Sequence, residues 1–212
     1  MTLKVFKFGG ASVKDAASVR NVASVLKRFP ADRLIVVVSA MGKITNALEK
    51  LTDAFVLKKG DTKAILEEIK KYHFDIVKEL FSDPSHPVYK EVQAVFLAME
   101  KKLNSTSSDN YNKEYDQLVS QGEILSSRIV SAYLDLSGVK NKWLDVREVI
   151  RTDDTYREGK VDWEKTADLT PNPSPRGEGN IAVTQGFLGR TKDGFTTTLG
   201  REGSDYTAAI LA

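Results

Sequence analysis

Cysteine is absent from the 212 residues. That removes disulfides, thiolate metal sites and a cysteine nucleophile together, and it suits a reducing compartment such as the cytoplasm. Histidine is nearly absent. His73 and His86 are the only two, which leaves little room for a histidine metal site or a Ser-His-Asp triad, so no metal ligand is expected. Neither sign of charge dominates: 31 Lys and Arg face 29 Asp and Glu, for a net charge of +2. Such a balance excludes a strongly basic nucleic-acid module and an acidic tail. No apolar run approaches the length of a membrane span. The amino terminus lacks the apolar core and cleavage site of a signal peptide. Heptads and internal repeats are missing as well. What remains is ordinary: 41% hydrophobic and 28% charged residues, enough for a real core in one domain or at most two.

The chain opens with a short, mostly apolar strand pattern over Leu3 to Phe8, broken by Gly9 and Gly10. From Lys14 to Phe29 the residues Val19, Val22, Ala23 and Leu26 recur at helical spacing, and Pro30 stops the pattern. Leu34 to Val38 is a continuous β-branched run, the signature of a strand buried on both faces in a parallel sheet. Strand, glycine turn, helix and buried strand make a βαβ unit and predict an α/β fold.

The middle reads as helical. Asp61 to Phe81 places Ile65, Ile69, Tyr72, Ile76 and Leu80 on one face, with Asp61 as the N-cap. Val88 to Leu103 carries Val92, Val95, Phe96, Met99 and Leu103 in register. A long helical pattern then runs from about Asn112 to Leu136, interrupted by Gly122. Glycine inside a helix costs about 1 kcal/mol relative to alanine, so Gly122 marks a close approach of backbone to a neighbour. Trp143 to Val146 and Ile181 to Gln185 read as strands. Thr170 to Asn180 holds Pro171, Pro173, Pro175, Gly177 and Gly179 and excludes helix and central strand. It is expected as an extended surface insertion, with a mobile lid as the sharper alternative.

Four groups of residues can carry chemistry. In Lys7-Phe8-Gly9-Gly10-Ala11-Ser12 the glycines let backbone N–H groups approach a phosphate. Ser12 and the following helix N-terminus would extend that anion site, and Lys7 supplies a point charge for a phosphoryl group. The spacing is not that of a Walker A loop, and the sequence alone equally allows a tight turn beside a surface lysine. Ser39 to Thr45 follows the second buried strand. In an open α/β sheet ligands bind beyond the carboxyl ends of strands, so the loops after Phe8 and Val38 are expected to share a site. Ser39 and Thr45 would otherwise cap the next helix. Thr198 to Asp205 offers Arg201 for a bidentate grip on a carboxylate and Asp205 for an ammonium; an exposed ion pair is the plainer alternative. Glu123 beside Gly122 is a substrate contact or a solvated carboxylate.

Taken in order, these pieces resemble the aspartokinases of the amino acid kinase family. The resemblance rests on Lys7 to Val13, Val38 to Gly42, Gln121 to Ser126, Leu144 to Arg147 with Arg151-Thr152-Asp153, Gln185-Gly186-Phe187, and Thr198 to Thr207. It covers nearly the whole chain outside the Pro-rich segment. It implies a three-layer αβα sandwich around a mainly parallel sheet, and phosphoryl transfer from ATP, with Mg2+, to the side-chain carboxylate of L-aspartate, on the route to lysine, threonine and methionine. By position, Lys7 would contact the transferring phosphoryl group as a catalytic residue together with Asp205. Gly9, Gly10 and Ser12 would hold the ATP phosphates. Ser39, Thr45, Glu123, Arg201 and Ser204 would line the aspartate site, with Arg201 on the α-carboxylate and Asp205 on the amino group. The acceptor carboxylate is already ionised at neutral pH, so no general base is needed.

The same resemblance marks departures. Ala11 stands where the pattern has threonine, and Glu202 replaces a glycine after Arg201, where a side chain would strain the turn or repel a carboxylate. Residues 1–212 are expected to form one kinase domain, incomplete at its carboxyl end, with an insertion at 170–180 and no regulatory ACT domain. A homo-oligomer is implied for the full-length protein. Two other readings stay open: a catalytically silent truncated fragment, and a sibling kinase acting on glutamate, acetylglutamate, carbamate or a nucleoside monophosphate.

Overall fold

The structure, a computed structural model, describes residues 3–30, 32–168 and 180–212. Four strands pair in parallel in the order β1 (Leu3–Phe8), β2 (Arg33–Val38), β4 (Ile181–Gln185) and β3 (Lys142–Leu144). The β-branched run predicted as a doubly covered strand is β2, in the middle of the sheet, with Val36, Val37 and Val38 fully buried. Helix α1 (Ala16–Leu26) follows β1 and buries Val19, Val22, Ala23 and Leu26, the four residues that its spacing selected. Helices α2 (Ile44–Val56), α3 (Thr62–Leu80), α4 (Pro87–Leu103), α5 (Tyr111–Val119) and α6 (Gln121–Leu136) form the long helical middle. α6 packs on β2, β3 and β4, with α1 beside it. The closing helix α8 (Gly203–Leu211) lies against β1 and β2 and supplies the remaining layer of the three-layer αβα arrangement. α7 (Trp163–Asp168) and a two-stranded antiparallel hairpin, β5 (Leu188–Arg190) with β6 (Thr196–Thr198), complete the described elements.

Local signals account for most boundaries. Asp61 caps α3 through its carboxylate, which accepts from the N–H groups of Lys63 and Ala64. The buried stripe of α3 runs through Leu66, Ile69, His73, Ile76, Val77 and Leu80. It is therefore broader than predicted and shifted, because α3 packs against α1, α2, α4 and α6 at once; Ile65 and Tyr72 sit at its margin. Both histidines are structural. His73 is fully buried, its Nδ1 lies 2.8 Å from the Ile69 carbonyl, and burial pushes its pKa down to about 4. His86 caps α4, accepting from Val88 N–H.

Three expectations need correction. The pattern over 112–136 is two helices meeting at Ser120, not one helix interrupted at Gly122. The strand expected over Trp143 to Val146 ends at Leu144, because Asp145 accepts from Arg147 N–H and starts a 3-10 turn over Val146–Glu148. The hairpin β5–β6 lies in a stretch for which the sequence suggested no strand. The Pro-rich insertion lies outside the described residues except for Asn180.

Gly122 does mark a close approach. A methyl group there would stand 3.0 Å from both Ala40 Cβ and Leu48 Cδ1 and 3.4 Å from Ile44 Cγ2. Gly122→Ala gains about 1 kcal/mol of helix propensity but overpacks the α2–α6 contact, at a cost of about 1–3 kcal/mol. The expected result in denaturant titration is a net loss of stability. A net gain would show that this contact has room to spare.

Candidate active site

The parallel register sets the site. Phe8 pairs with Val38, and Val38 with Gln185, so three strands reach their carboxyl ends on one line and turn there together. The turns are tied to each other. Ser39 N–H donates to Phe8 O at 3.1 Å, Gly42 N–H to Gly10 O at 3.0 Å, and Gly186 N–H to Val38 O at 2.9 Å. Gly10 is required by contact: a Cβ there would lie 2.8 Å from Ala40 O and 2.9 Å from Gly42 O, both backbone atoms that cannot yield. Above these turns opens a cleft of about 890 Å³.

Most of the sequence-selected residues line this cleft. Lys7, Gly10, Ser39, Thr45, Glu123, Arg201, Ser204 and Asp205 all face it. Gly9 and Ser12 do not. Gly9 lies beneath the Lys7 ammonium, which would stand 3.4 Å from a Cβ there. Ser12 is exposed in a 3-10 turn over Gly10–Val13. Nor does the α1 N-terminus extend the site: the Asp15 carboxylate already accepts from Ser18 N–H at 2.7 Å, and a second anion would meet that charge. The helix terminus that does reach the cleft is that of α8, through Gly203 and Ser204. No side chain caps it, so its dipole favours an anion in the cleft. Ser39 and Thr45 are not spent as caps either, since α2 starts without a side-chain cap.

Two carboxylates set the electrostatics. Asp205 is exposed and pairs with Lys7 at 2.9 Å. Glu123 is 3% exposed and sits in the first turn of α6, where one oxygen accepts from Ala40 N–H at 3.2 Å and Oε2 is buried without a partner. Burial pushes its carboxyl up to about 8, against the weaker pull of that backbone donor. Arg201 is exposed on the opposite loop and has no ion pair among the described residues.

Several lining residues had no sequence signal in advance: Tyr115, Tyr156, Arg157 and Glu158; Phe187 entered only as the end of the Gln185-Gly186-Phe187 stretch, with no role at the site. The Arg157 guanidinium lies 4.2 Å from the Tyr115 ring centroid and 3.6 Å from the Glu49 carboxylate. A backbone signal does pick them out in the structure. Of the four non-glycine residues with positive φ among the described residues, Arg157 (72°), Phe187 (72°) and Glu202 (57°) line the cleft; Lys58 is the fourth. Left-handed backbone at non-glycine residues concentrates at functional sites. The sequence-based concern over Glu202 is thus met: it occupies a left-handed turn that glycine would fill without strain.

The comparisons with known proteins fit this geometry. A sequence model of the amino acid kinase family matches residues 2–212. The chain belongs to the amino acid kinase family. Among its relatives, lysine-sensitive aspartokinase 3 of Escherichia coli is 34% identical over 211 residues, which is 98% of this chain and 45% of that protein. Aspartokinase 1, chloroplastic, of Arabidopsis thaliana is 36% identical over 225 residues, 98% of this chain and 37% of that protein. The crystal structure of E. coli aspartokinase III in complex with aspartate and ADP superposes with a TM-score of 0.88 at 34% identity, covering 100% of this chain and 46% of that one. The chain therefore spans under half the length of the aspartokinases it matches. No helix among the described residues is long and apolar enough to cross a membrane.

Two predictions follow from the strain and the buried charge. Glu202→Gly removes a left-handed side chain worth about 1–2 kcal/mol of strain and returns about 0.5–1 kcal/mol of chain entropy. A small net gain in denaturation midpoint is expected, and a loss would mean that the Glu202 side chain makes a stabilising contact. Glu123, with its folded pKa raised from 4.5 to about 8, binds its proton more tightly in the folded than in the unfolded state. Stability therefore falls as pH rises between those values. Asp116, raised to about 6 by burial, and His73, lowered to about 4, carry their own pH dependence equally in both proteins, so the comparison with Glu123→Gln isolates Glu123. Between pH 6.5 and 8 the wild-type protein should lose about 2 kcal/mol that Glu123→Gln retains. Parallel pH profiles for the two proteins would refute the buried, unpaired state of Glu123.

Proposed function

We propose that this chain carries the acceptor-binding and phosphoryl-stabilising part of an aspartate kinase. The observation that supports this best is one cleft holding a lysine, a buried carboxyl with an unpartnered oxygen and an exposed arginine: Lys7, Glu123 and Arg201. Those groups suit an amino acid that also carries an acceptor anion. The Arg201 guanidinium matches the planar α-carboxylate as a fork. The Glu123 Oε2 atom lacks a donor, and a substrate ammonium supplies one. Asp205 is already engaged with Lys7, so in this reading it orients the lysine more than it holds the ammonium. Ser39, Thr45 and Ser204 add hydroxyls around the acceptor.

The chemistry asks little else. An oxygen of the acceptor carboxylate attacks the γ-phosphorus of ATP, the bond from that phosphorus to the β,γ-bridging oxygen breaks, and ADP leaves with the electron pair. The products are 4-phospho-L-aspartate and ADP. No proton need be removed from an ionised carboxylate. Catalysis is then positioning plus neutralisation of spreading charge. Lys7 and the α8 N-terminus supply that neutralisation, while Gly10 keeps the backbone open to the phosphates. The described residues include no grouping of three or more acidic or histidine side chains to cage a metal. Mg2+ fits in its usual manner, through one or two carboxylates and the nucleotide's own phosphates, with Asp205 as the nearby acid; when bound it neutralises phosphate charge. Residues 1–212 as one kinase domain, a cytoplasmic setting, a homo-oligomer of the whole protein and a place on the route to lysine, threonine and methionine complete this reading.

The span of the chain, 45% of the E. coli relative, favours a second outcome in which the isolated chain binds aspartate without turning it over. Incubation with ATP, Mg2+ and a panel of acceptors, with acyl phosphate trapped by hydroxylamine, separates these. Turnover with L-aspartate establishes the kinase, and in that case Lys7→Ala is expected to lower kcat at least 100-fold, on the scale of losing a charge-stabilising donor, while Tm hardly changes. Saturable aspartate binding by calorimetry without turnover supports the second outcome. Preference for another acceptor, or neither binding nor turnover, overturns the proposal.

A further inference from the structure

Asp116 lies outside the cleft, in α5, and is fully buried. A carboxylate in that position is costly: burial raises its pKa to about 6 despite several donors. An apolar residue would pack there without that cost. What the carboxylate does is accept from two segments at once, the stretch after β3 and the end of β6. Its Oδ2 accepts from the backbone N–H of Arg157 and of Thr198, each at 2.9 Å, and its Oδ1 accepts from the Thr198 hydroxyl at 2.8 Å. Arg157 is one of the left-handed residues on the cleft wall, and Thr198 ends β6 three residues before Arg201. The two segments also touch directly, through Gly159 N–H to Thr198 O at 2.8 Å.

We propose that Asp116 is a positioning residue that clamps the Arg157 segment to the Arg201 segment from beneath the cleft and so fixes how far apart the two guanidinium groups stand. The clamp uses both carboxylate oxygens, with three donors converging from the Arg157 segment and the end of β6. A water or a hydroxyl lacks the lone pairs and the reach to do the same. Its effect on acceptor binding rests on the aspartate-kinase reading; its effect on the two loops does not.

The experiment pairs amide hydrogen exchange with calorimetric titration of L-aspartate on the chain as it stands. Asp116→Ala should accelerate exchange at Arg157 and Thr198 by at least 10-fold, leave β1, β2 and β4 protected, and weaken aspartate binding by at least 10-fold. Asp116→Asn should restore both to within about 3-fold, because its amide oxygen accepts the two N–H groups and its NH₂ donates to the threonine hydroxyl. If Asp116→Ala leaves those two amides protected, or if Asn behaves as badly as Ala, the proposal fails. Should Asp116→Ala lose protection throughout the sheet, Asp116→Glu decides: loop-confined exchange with an intact sheet supports the clamp, and sheet-wide loss overturns it. Wild-type protein that binds no aspartate overturns the aspartate-kinase reading, and the exchange measurement then decides the clamp by itself.

Discussion

β1, β2 and β4 run parallel and in a register that ends Phe8, Val38 and Gln185 on one line. Everything chemical in this protein hangs from that line. Parallel strands need crossovers that return to the same end of the sheet, and the chain makes these with α1 and with the long helical middle. Each carboxyl end must then turn in a crowded space, which is why Gly10 meets the backbone of Ala40 and Gly42 and why a Cβ at Gly186 would lie 2.5 Å from Ser204 Cβ. The glycines in these turns answer to packing between turns first. The open backbone that a phosphate can approach is a consequence of the same crowding.

The cleft's polar groups divide by burial. Lys7 and Asp205 meet where solvent screens them, so their pair adds little to stability and can be rearranged by a ligand at little cost. Glu123 is different: it loses its hydration, and the backbone donors it recovers leave Oε2 without a partner. A group in that state is poor for folding and good for binding, because a cationic ligand supplies the missing partner and the missing charge together. The fold tolerates the cost since Ile124 and Leu125, which follow Glu123 in α6, are well buried.

How legible was this from sequence? Periodicity resolved what depends on burial. The β-branched run of β2, the stripe of α1 and the N-cap at Asp61 were all readable because each is decided by local composition. Gly122 was readable as a point of contact, though not the break at Ser120, whose backbone stays near helical (φ −56°, ψ −23°). The cleft loops Lys7 to Ser12, Ser39 to Thr45 and Thr198 to Asp205 were selected because strand ends in a parallel sheet attract ligands. Tyr115 and Arg157 were not, because nothing in their spacing brings α5 and the segment after β3 to one place. Only the tertiary arrangement does that, much of it through the Asp116 carboxylate, which in sequence is one more acidic residue on a polar helix.

The distribution of strain carries the last step. Arg157, Phe187 and Glu202 are held in left-handed backbone, at about 1–2 kcal/mol each. All three stand on the walls of one cleft, and two are charged. Arg157 is held by the Asp116 carboxylate, and the Phe187 N–H is held by the Thr207 hydroxyl at 2.9 Å. Glu202 instead begins α8 without any side-chain cap. So two of the strained walls are anchored directly from buried groups behind them, whereas the third is held at its two ends. The Arg201–Glu202 turn is fixed on the β6 side by the Asp116 carboxylate at Thr198 and on the other side by the helix that Glu202 starts.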